Sequence, residues 1–509
     1  MASATLSNGD RWRGAAAVGL CLVILVGFWS VGASKDFWYD EQFVRTLVDQ
    51  PMTETIKLLK FENSPPFTFA VVYWWEKLVG SSEVALRVLS LGPTLLGIVV
   101  LSRFARAAFG RTSGLVVAGL ASVASLAVTQ ALELRMYPWV LLWSTSALFL
   151  VHQYASKPRA TALIALTVVH VLGLYTHYTY VVVVVASGVW LWWGARVQRR
   201  AIALHAAVVA VLFLPWVLYS LVPIAQHWTT SLGVQQDRNL LAIALFPLRL
   251  FAMPLFGEPN WLTVVRFMVA AIIGLGILWS LRLLLRPTDD RSVVVLRWLF
   301  GLVVGGLLVL ALAGFSDPKY ATVLVPAVIA VVAVGLVRLP LPGAVRAVLI
   351  VLAVVGELVV SYAHARAPLV TYREATAVVE RVGQTGDVIV VHPFNDDIVV
   401  RNYYHGSLPV YGFLPDRPPG GATLEDNVRR NFRVQVNEAN VGELSAYVGQ
   451  ASRVWFFYDV TIGPSYWNGH LIDRWFRDHG FDATVYRSIF RRVPPLLVRY
   501  DRIESGNRP

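Results

Sequence analysis

Residues 14–42 read GAAAVGLCLVILVGFWSVGASKDFWYDEQ. The run from Gly14 to Gly32 carries no charge, and a helix over it would cover about 28 Å at about 1.5 Å per residue, close to the thickness of a bilayer's hydrocarbon layer. Immediately beyond it, in Phe37-Trp38-Tyr39-Asp40-Glu41-Gln42, stand two adjacent carboxylates. Paired acids beside a membrane need a chemical reason. A cleaved signal peptide is the alternative for the first run, since Val31-Gly32-Ala33 resembles a cleavage site, but the apolar core of such a peptide spans only about 7 to 15 residues. The expectation is an uncleaved anchor.

Composition extends that reading along the chain. Of 509 residues, 56% are hydrophobic and only 15% charged, and the mean hydropathy is +0.57, which excludes an ordinary soluble globular protein. Further apolar segments near Glu83 to Phe104, Ser113 to Thr129, Pro138 to Tyr154, Ala160 to Tyr175, Tyr178 to Gly194, Ile202 to Leu221, Trp261 to Leu285, Val293 to Phe315, Ala321 to Val337 and Ala344 to Tyr362 bring the expected spans to eleven. With the amino terminus inside, the inner connections hold Arg11 and Arg13; Arg103, Arg106 and Arg111; Lys157 and Arg159; Arg196, Arg199 and Arg200; Arg282, Arg286, Arg291 and Arg297; and Arg338 and Arg346. The positive-inside rule demands that pattern. Much of the net charge of +12 therefore faces the anionic cytoplasmic leaflet and implies no nucleic-acid partner. Cys21 is the only cysteine, so no intramolecular disulfide can form.

The expected architecture is a polytopic α-helical membrane domain over residues 1–362, with a first outer loop at 34–82 containing juxtamembrane helices, and an extracytoplasmic α/β domain over 363–509. In the latter, Asp387 to Val391 and Arg453 to Tyr458 read as buried strands, and Glu374 to Val382 and Leu471 to His479 have helical spacing. His392, Asp396 and Asp397 follow the first strand, where acids commonly cap the next helix. The domain is expected to bind an acceptor or to cover the site. Neither a P-loop nor a dinucleotide fingerprint occurs, so a nucleotide-bound substrate has no support.

Three polar groups fall on the predicted outer face: Asp40 and Glu41; Glu133, Arg135 and Tyr137; and Asp317, Lys319 and Tyr320. Anchoring at the headgroup level is the plain alternative for each, because Tyr, Lys and Arg commonly sit there and pair with acids. Occurrence of acid and base together on one face is what a site at the membrane surface requires. The first loop also holds Glu62-Asn63-Ser64-Pro65-Pro66-Phe67, in which proline disfavours helix at Ser64 and suits the first turn of the aromatic helix that follows. His177, in the turn Tyr175-Thr176-His177-Tyr178, is either a metal or substrate ligand or an ordinary hydrogen-bonding turn residue.

An acidic pair after the first span, a Pro-Pro turn opening a juxtamembrane helix, an acid-x-Arg-x-Tyr loop and a Lys-Tyr before a late span together resemble the GT-C glycosyltransferases. Within them, the order of motifs is similar to the protein O-mannosyltransferase and aminoarabinose transferase branch. The resemblance covers Ala15 to Val337. It departs from the lipid A-modifying members at Ser64 behind Asn63, where those tend to carry a basic residue before Pro-Pro.

What the resemblance implies is an inverting membrane glycosyltransferase that takes a sugar, with mannose favoured by analogy, from a polyprenyl-phosphate carrier and passes it to an acceptor hydroxyl on a protein, glycan or lipid. Asp40 is then the expected base, with Glu41 orienting the acceptor or sharing a divalent metal ion with Asp40. Lys319, Tyr320 and Arg135 are expected at the donor phosphate, and Glu133, Tyr137, Asn63 and His177 at the substrate. Which of the adjacent acids is the base cannot be read from adjacency, and a structural Glu133–Arg135 pair stays open. The expected location is the cell membrane, multi-pass, with the amino terminus cytoplasmic. A transporter or lipid flippase whose outer charges gate a pathway is the competing class; Glu357, the acid inside the eleventh span, is the one feature that favours it. A non-catalytic scaffold on the same fold is the third.

Overall fold

The computed structural model describes residues 8–62, 64–194, 198–231, 245–251, 260–287, 290–313, 317–367, 371–430, 436–458, 469–486 and 496–503. Two compact units make up the chain: a helical one from Met1–Ser34, Asn63–Val222 and Gln235–Ala367, and a mixed one from Lys35–Glu62, Pro223–Val234 and Pro368–Pro509. Thus Lys35–Glu62, which carries Asp40 and Glu41, shares a unit with the carboxy-terminal α/β segment, while the remainder of the first outer loop goes with the helices.

Helices stand at all eleven expected places: Asn8–Gly32, Glu83–Phe109, Arg111–Val123 continued by Ser125–Ala131, Tyr137–Ser156, Ala160–Thr176, the short pieces Tyr178–Tyr180, Val181–Val189 and Trp190–Gly194, then Arg199–Ser231, Asn260–Leu284, Arg291–Leu312, Val325–Val337 after a 3-10 turn, and Gly343–Arg366. Seven are singly long and apolar enough to cross a membrane, and an eighth is the bent pair Arg111–Val123 and Ser125–Ala131. The chain is a multi-pass membrane protein. The helix at Ala160–Thr176, with 17 residues, reaches about 25 Å at the usual rise, which places it among the short spans.

At the centre of the helical unit lies Pro318–Val337, 89% of whose apolar window is buried. It packs against Asn260–Leu284 through small residues. A Cβ on Gly335 would run into the Gly276 carbonyl, so both glycines permit the backbones to approach, as membrane helices with no hydrophobic driving force between them require.

The bent span has a local cause. Ala124 is extended (φ −57°, ψ 122°), which opens the helix and strands the polar groups on both sides of the break. Helix Gly343–Arg366 supplies partners for both: the Ser361 hydroxyl donates to the Val123 carbonyl at 2.6 Å, and the Glu357 carboxylate accepts from the Ser125 N–H at 2.6 Å and from the Ser125 hydroxyl. One turn apart on one helix, the two side chains splint the break. Glu357 is fully buried in protein, and a cap at the start of a half-helix accounts for an acid inside a span.

The mixed unit holds a five-stranded sheet in the order β2-β1-β3-β5-β4, with β1 Val388–His392, β2 Val410–Gly412, β3 Arg453–Tyr458, β4 Phe481–Tyr486 and β5 Leu496–Arg502. β1 is parallel to β2 and β3, while β5 runs antiparallel to β3 and β4. Both expected strands are present, and the expected helices are Tyr372–Val382 and Gly469–Asp478. The latter buries Trp475 and Phe476 on the sheet, with Phe476 stacked on Tyr500 at 3.9 Å between ring centres. The sheet-side helix Asp397–Tyr403 receives the first-loop helix Tyr39–Val48: the Phe37 N–H donates to the Tyr403 hydroxyl at 2.6 Å, Arg45 donates to the Asn402 side chain, and the Arg373 N–H donates to Asp36 at 2.8 Å.

Candidate active site

Within the helical unit, the second outer loop and the turn before the tenth span meet around His177. The half-helix Ser125–Ala131 ends at Leu132, and residues 133–136 form a bend, neither extended nor helical. The Glu133 carbonyl accepts from the Ser90 hydroxyl at 2.5 Å and from the Arg135 N–H at 2.8 Å, which turns Arg135 inward until it is buried. Glu133 itself is half-buried.

Asp317 starts the next element. Extended at φ −71°, ψ 129°, it precedes Pro318 and accepts from the Lys319 N–H at 2.9 Å, an aspartate cap followed by a proline that needs no donor. The Lys319 ammonium is 3.6 Å from the Asp317 carboxylate and 5.7 Å from the Tyr320 ring. A hydrogen-bonded chain ties this turn to the half-helix: Gln130 donates to the Thr322 hydroxyl, which donates to the Lys319 carbonyl at 2.6 Å.

His177 sits between the tyrosines, 5.8 Å from Tyr137 and 6.0 Å from Tyr320 between ring centres. Burial first, then the positive charges of Arg135 and Lys319, lower its pKa to about 3, so the ring is neutral at physiological pH. Its Nδ1 accepts from the Thr179 N–H at 3.2 Å, which leaves the ring proton on Nε2. That Nε2 closes no hydrogen bond among the described residues. Tyr137 is within electrostatic range of Lys319, Tyr320, Arg135 and Asp317. The cluster therefore gathers one guanidinium, one ammonium, an imidazole N–H and two phenols, donors suited to phosphate oxygens, with the Asp317 carboxylate beside the ammonium.

Within the mixed unit, Asp40 and Glu41 occupy the first turn of helix Tyr39–Val48, where the helix dipole favours acids. Successive helical residues point about 100° apart, and the two acids differ accordingly: Glu41 is fully buried and Asp40 half-buried. Among the described residues no group of three or more His, Cys, Asp or Glu could hold a metal ion. Asn63 lies outside the described residues.

Some polar residues of interest give little sign of themselves in the sequence. Arg87, fully buried in the second span, donates to the Ala33 carbonyl at 2.9 Å and fastens the end of the first helix; a cation inside an apolar run was the available signal.

Residues 63–219 match the family model of dolichyl-phosphate-mannose-protein mannosyltransferases. No curated protein matches the sequence. Among solved structures, the chain is similar to ArnT from Cupriavidus metallidurans bound to undecaprenyl phosphate, with 14% identity, a TM-score of 0.56 and coverage of 99% of this chain and 100% of that one. It is also similar to the Archaeoglobus fulgidus oligosaccharyltransferase in the apo form, with 11% identity, a TM-score of 0.54 and coverage of 98% and 76% respectively. The chain thus shares its fold with these two structures over nearly its whole length, and residues 63–219 resemble the dolichyl-phosphate-mannose-protein mannosyltransferases, in keeping with the expected resemblance to the GT-C glycosyltransferases.

Proposed function

We propose that the protein is an inverting glycosyltransferase that moves a sugar, mannose by analogy with its family match, from a polyprenyl-phosphate carrier to an acceptor hydroxyl on the outer membrane face. The observation that carries this reading is the His177 cluster, in which Arg135, Lys319 and a buried imidazole N–H present donors and positive charge. A carrier phosphate is supported further by the structural likeness to ArnT, which was solved with undecaprenyl phosphate.

In this reaction the Asp40 carboxylate takes the proton of the acceptor hydroxyl as its oxygen attacks the anomeric carbon. The bond from that carbon to the phosphate oxygen breaks on the opposite face, inverting the centre. The electron pair leaves with the carrier phosphate, whose added charge is held by Lys319, Arg135, the Tyr320 hydroxyl and His177 Nε2–H. Asp40, half-buried, is the less buried of the two acids and is assigned to the acceptor; Glu41, fully buried, supports the helix turn. Glu133 and Tyr137 line the substrate side. The basic inner loops favour a cytoplasmic amino terminus and an extracytoplasmic α/β segment.

Binding of undecaprenyl phosphate by the full chain in lipid nanodiscs tests the phosphate assignment. Lys319→Ala and Arg135→Ala are each expected to weaken it about tenfold or more, as the loss of a charge-assisted hydrogen bond does; unchanged affinity in both variants contradicts it. The transporter reading loses its main support, since Glu357 serves as a helix cap.

A further inference from the structure

Helix Asn260–Leu284 carries more positive charge at its end than its own capping explains. Arg282 lies one turn after Trp279, on the same face. Arg286, just past the helix end, returns to the same ring: the two guanidiniums stand 5.6 and 5.9 Å from the centre of the indole. Both arginines are exposed. Cations at a helix end ordinarily offset its negative pole, but here the neighbouring helix Arg291–Leu312 fills that role. Its Arg297 donates to the Leu284 carbonyl at 3.3 Å and to the Arg286 carbonyl at 2.7 Å. Nor does an acid claim the pair. Asp290, in the turn between the helices, accepts from the Ser292 N–H and hydroxyl, both at 2.9 Å. Among the described residues neither Arg282 nor Arg286 uses its side chain in a hydrogen bond or ion pair. Two like charges are thus gathered over one ring, where they repel each other until an anion joins them.

We infer that Arg282 and Arg286 hold the phosphate of an anionic glycerophospholipid, whose acyl chains run from there along the leucines of the same helix. Leu278, one turn before Arg282, and Leu285, three residues after it, are 64% and 78% exposed. Leu275, one turn before Trp279, continues the apolar stripe toward the middle of the span. Guanidiniums take phosphate oxygens through paired donors, the indole sits at the headgroup level where tryptophan is favoured, and the leucines need hydrocarbon against them. A lipid covers all three features, whereas a free phosphate covers only the first. A zwitterionic headgroup would set its own cation beside two guanidiniums, so the anionic class is selected. By the positive-inside rule this end of the helix faces the cytoplasmic leaflet, where anionic lipid is at hand. The site stands apart from the His177 cluster and involves neither donor nor acceptor sugar.

Native mass spectrometry of the purified full chain, titrated with phosphatidylglycerol or with phosphatidylcholine of the same acyl chains, reads this site independently of any transfer. The first phosphatidylglycerol is expected to bind about tenfold or more tightly than phosphatidylcholine. That preference should vanish in the double variant Arg282→Gln, Arg286→Gln. It should survive in Arg103→Gln, Arg106→Gln, which removes two exposed arginines from the end of helix Glu83–Phe109 and so controls for general charge. No preference in the unaltered protein, or an equal loss in both double variants, would overturn the site. Displacement of the bound phosphatidylglycerol by excess sn-glycerol 3-phosphate or by undecaprenyl phosphate would overturn the ligand class. Should the first double variant fail to fold, Arg286→Gln alone, beyond the helix end, is expected to cut the preference about threefold or more; an unchanged preference there contradicts the inference.

Discussion

The Glu357 carboxylate accepts the Ser125 backbone N–H at 2.6 Å across two helices of the membrane unit. An acid in a span, which pointed toward a transport pathway, instead closes the open end of the half-helix Ser125–Ala131. That half-helix delivers Gln130 to Thr322 and leads into the bend that buries Arg135. A structural cap and a proposed phosphate site are therefore linked through a single short element.

Glu357→Ala removes an acceptor from two buried donors and is expected to destabilise the protein by about 3 kcal/mol. Glu357→Gln, which still accepts through its amide oxygen, should cost less than half of that. Thermal unfolding in detergent, followed by tryptophan fluorescence, reads both; equal effects would show that the acceptor is not what matters.

His177 yields a pH prediction. Its folded-state pKa of about 3 lies below the ordinary value of 6.5, so the stability tied to its neutral form is fully present above about pH 6.5 and is lost as pH falls toward 3. Replacement by glutamine, which cannot charge, should flatten the acid side of the stability profile over that window. An unchanged profile would place the titrating group elsewhere.

The same neutrality bears on the carrier. His177→Phe keeps an aromatic ring between Tyr137 and Tyr320 but removes the Nε2–H donor, and should weaken undecaprenyl phosphate binding several-fold. In the unaltered protein, affinity between pH 5 and 8 should show no histidine titration from this residue, as a binding series across that range would reveal.

Gly335→Ala sets a Cβ against the Gly276 backbone, which cannot yield as a side-chain end would. Loss of about 1 to 3 kcal/mol, or failure to accumulate in the membrane, is expected. Gly301→Ala, where the added Cβ meets nothing within 4 Å, is the control that should fold normally.

The positions of the spans were legible because a bilayer imposes length and hydropathy on each crossing segment independently. The break at Ala124 was not: no proline or glycine marks it, and the partners that stabilise it, Glu357 and Ser361, belong to the last span. In the mixed unit, β1 and β3 stood out as apolar runs, whereas β4, with alternating exposure, carries too weak a pattern. Arg135, Lys319 and His177 were each visible as polar residues at an outer turn. That they share one electrostatic neighbourhood, and that His177 is neutral through burial first and those charges second, depends on packing between distant helices. Asp40 and Glu41 looked equivalent as neighbours in sequence; only the helix that separates their directions, burying Glu41 fully and Asp40 in part, distinguishes them.

Transfer itself tests the central claim. Purified full-length protein supplied with radiolabelled polyprenyl-phosphate-mannose and a pool of envelope acceptors should form a glycoside of inverted anomeric configuration, and Asp40→Asn should lower the rate by about 10² to 10⁴, the usual worth of a side-chain base. Undiminished transfer by Asp40→Asn, or a product that retains the donor's configuration, would contradict the account.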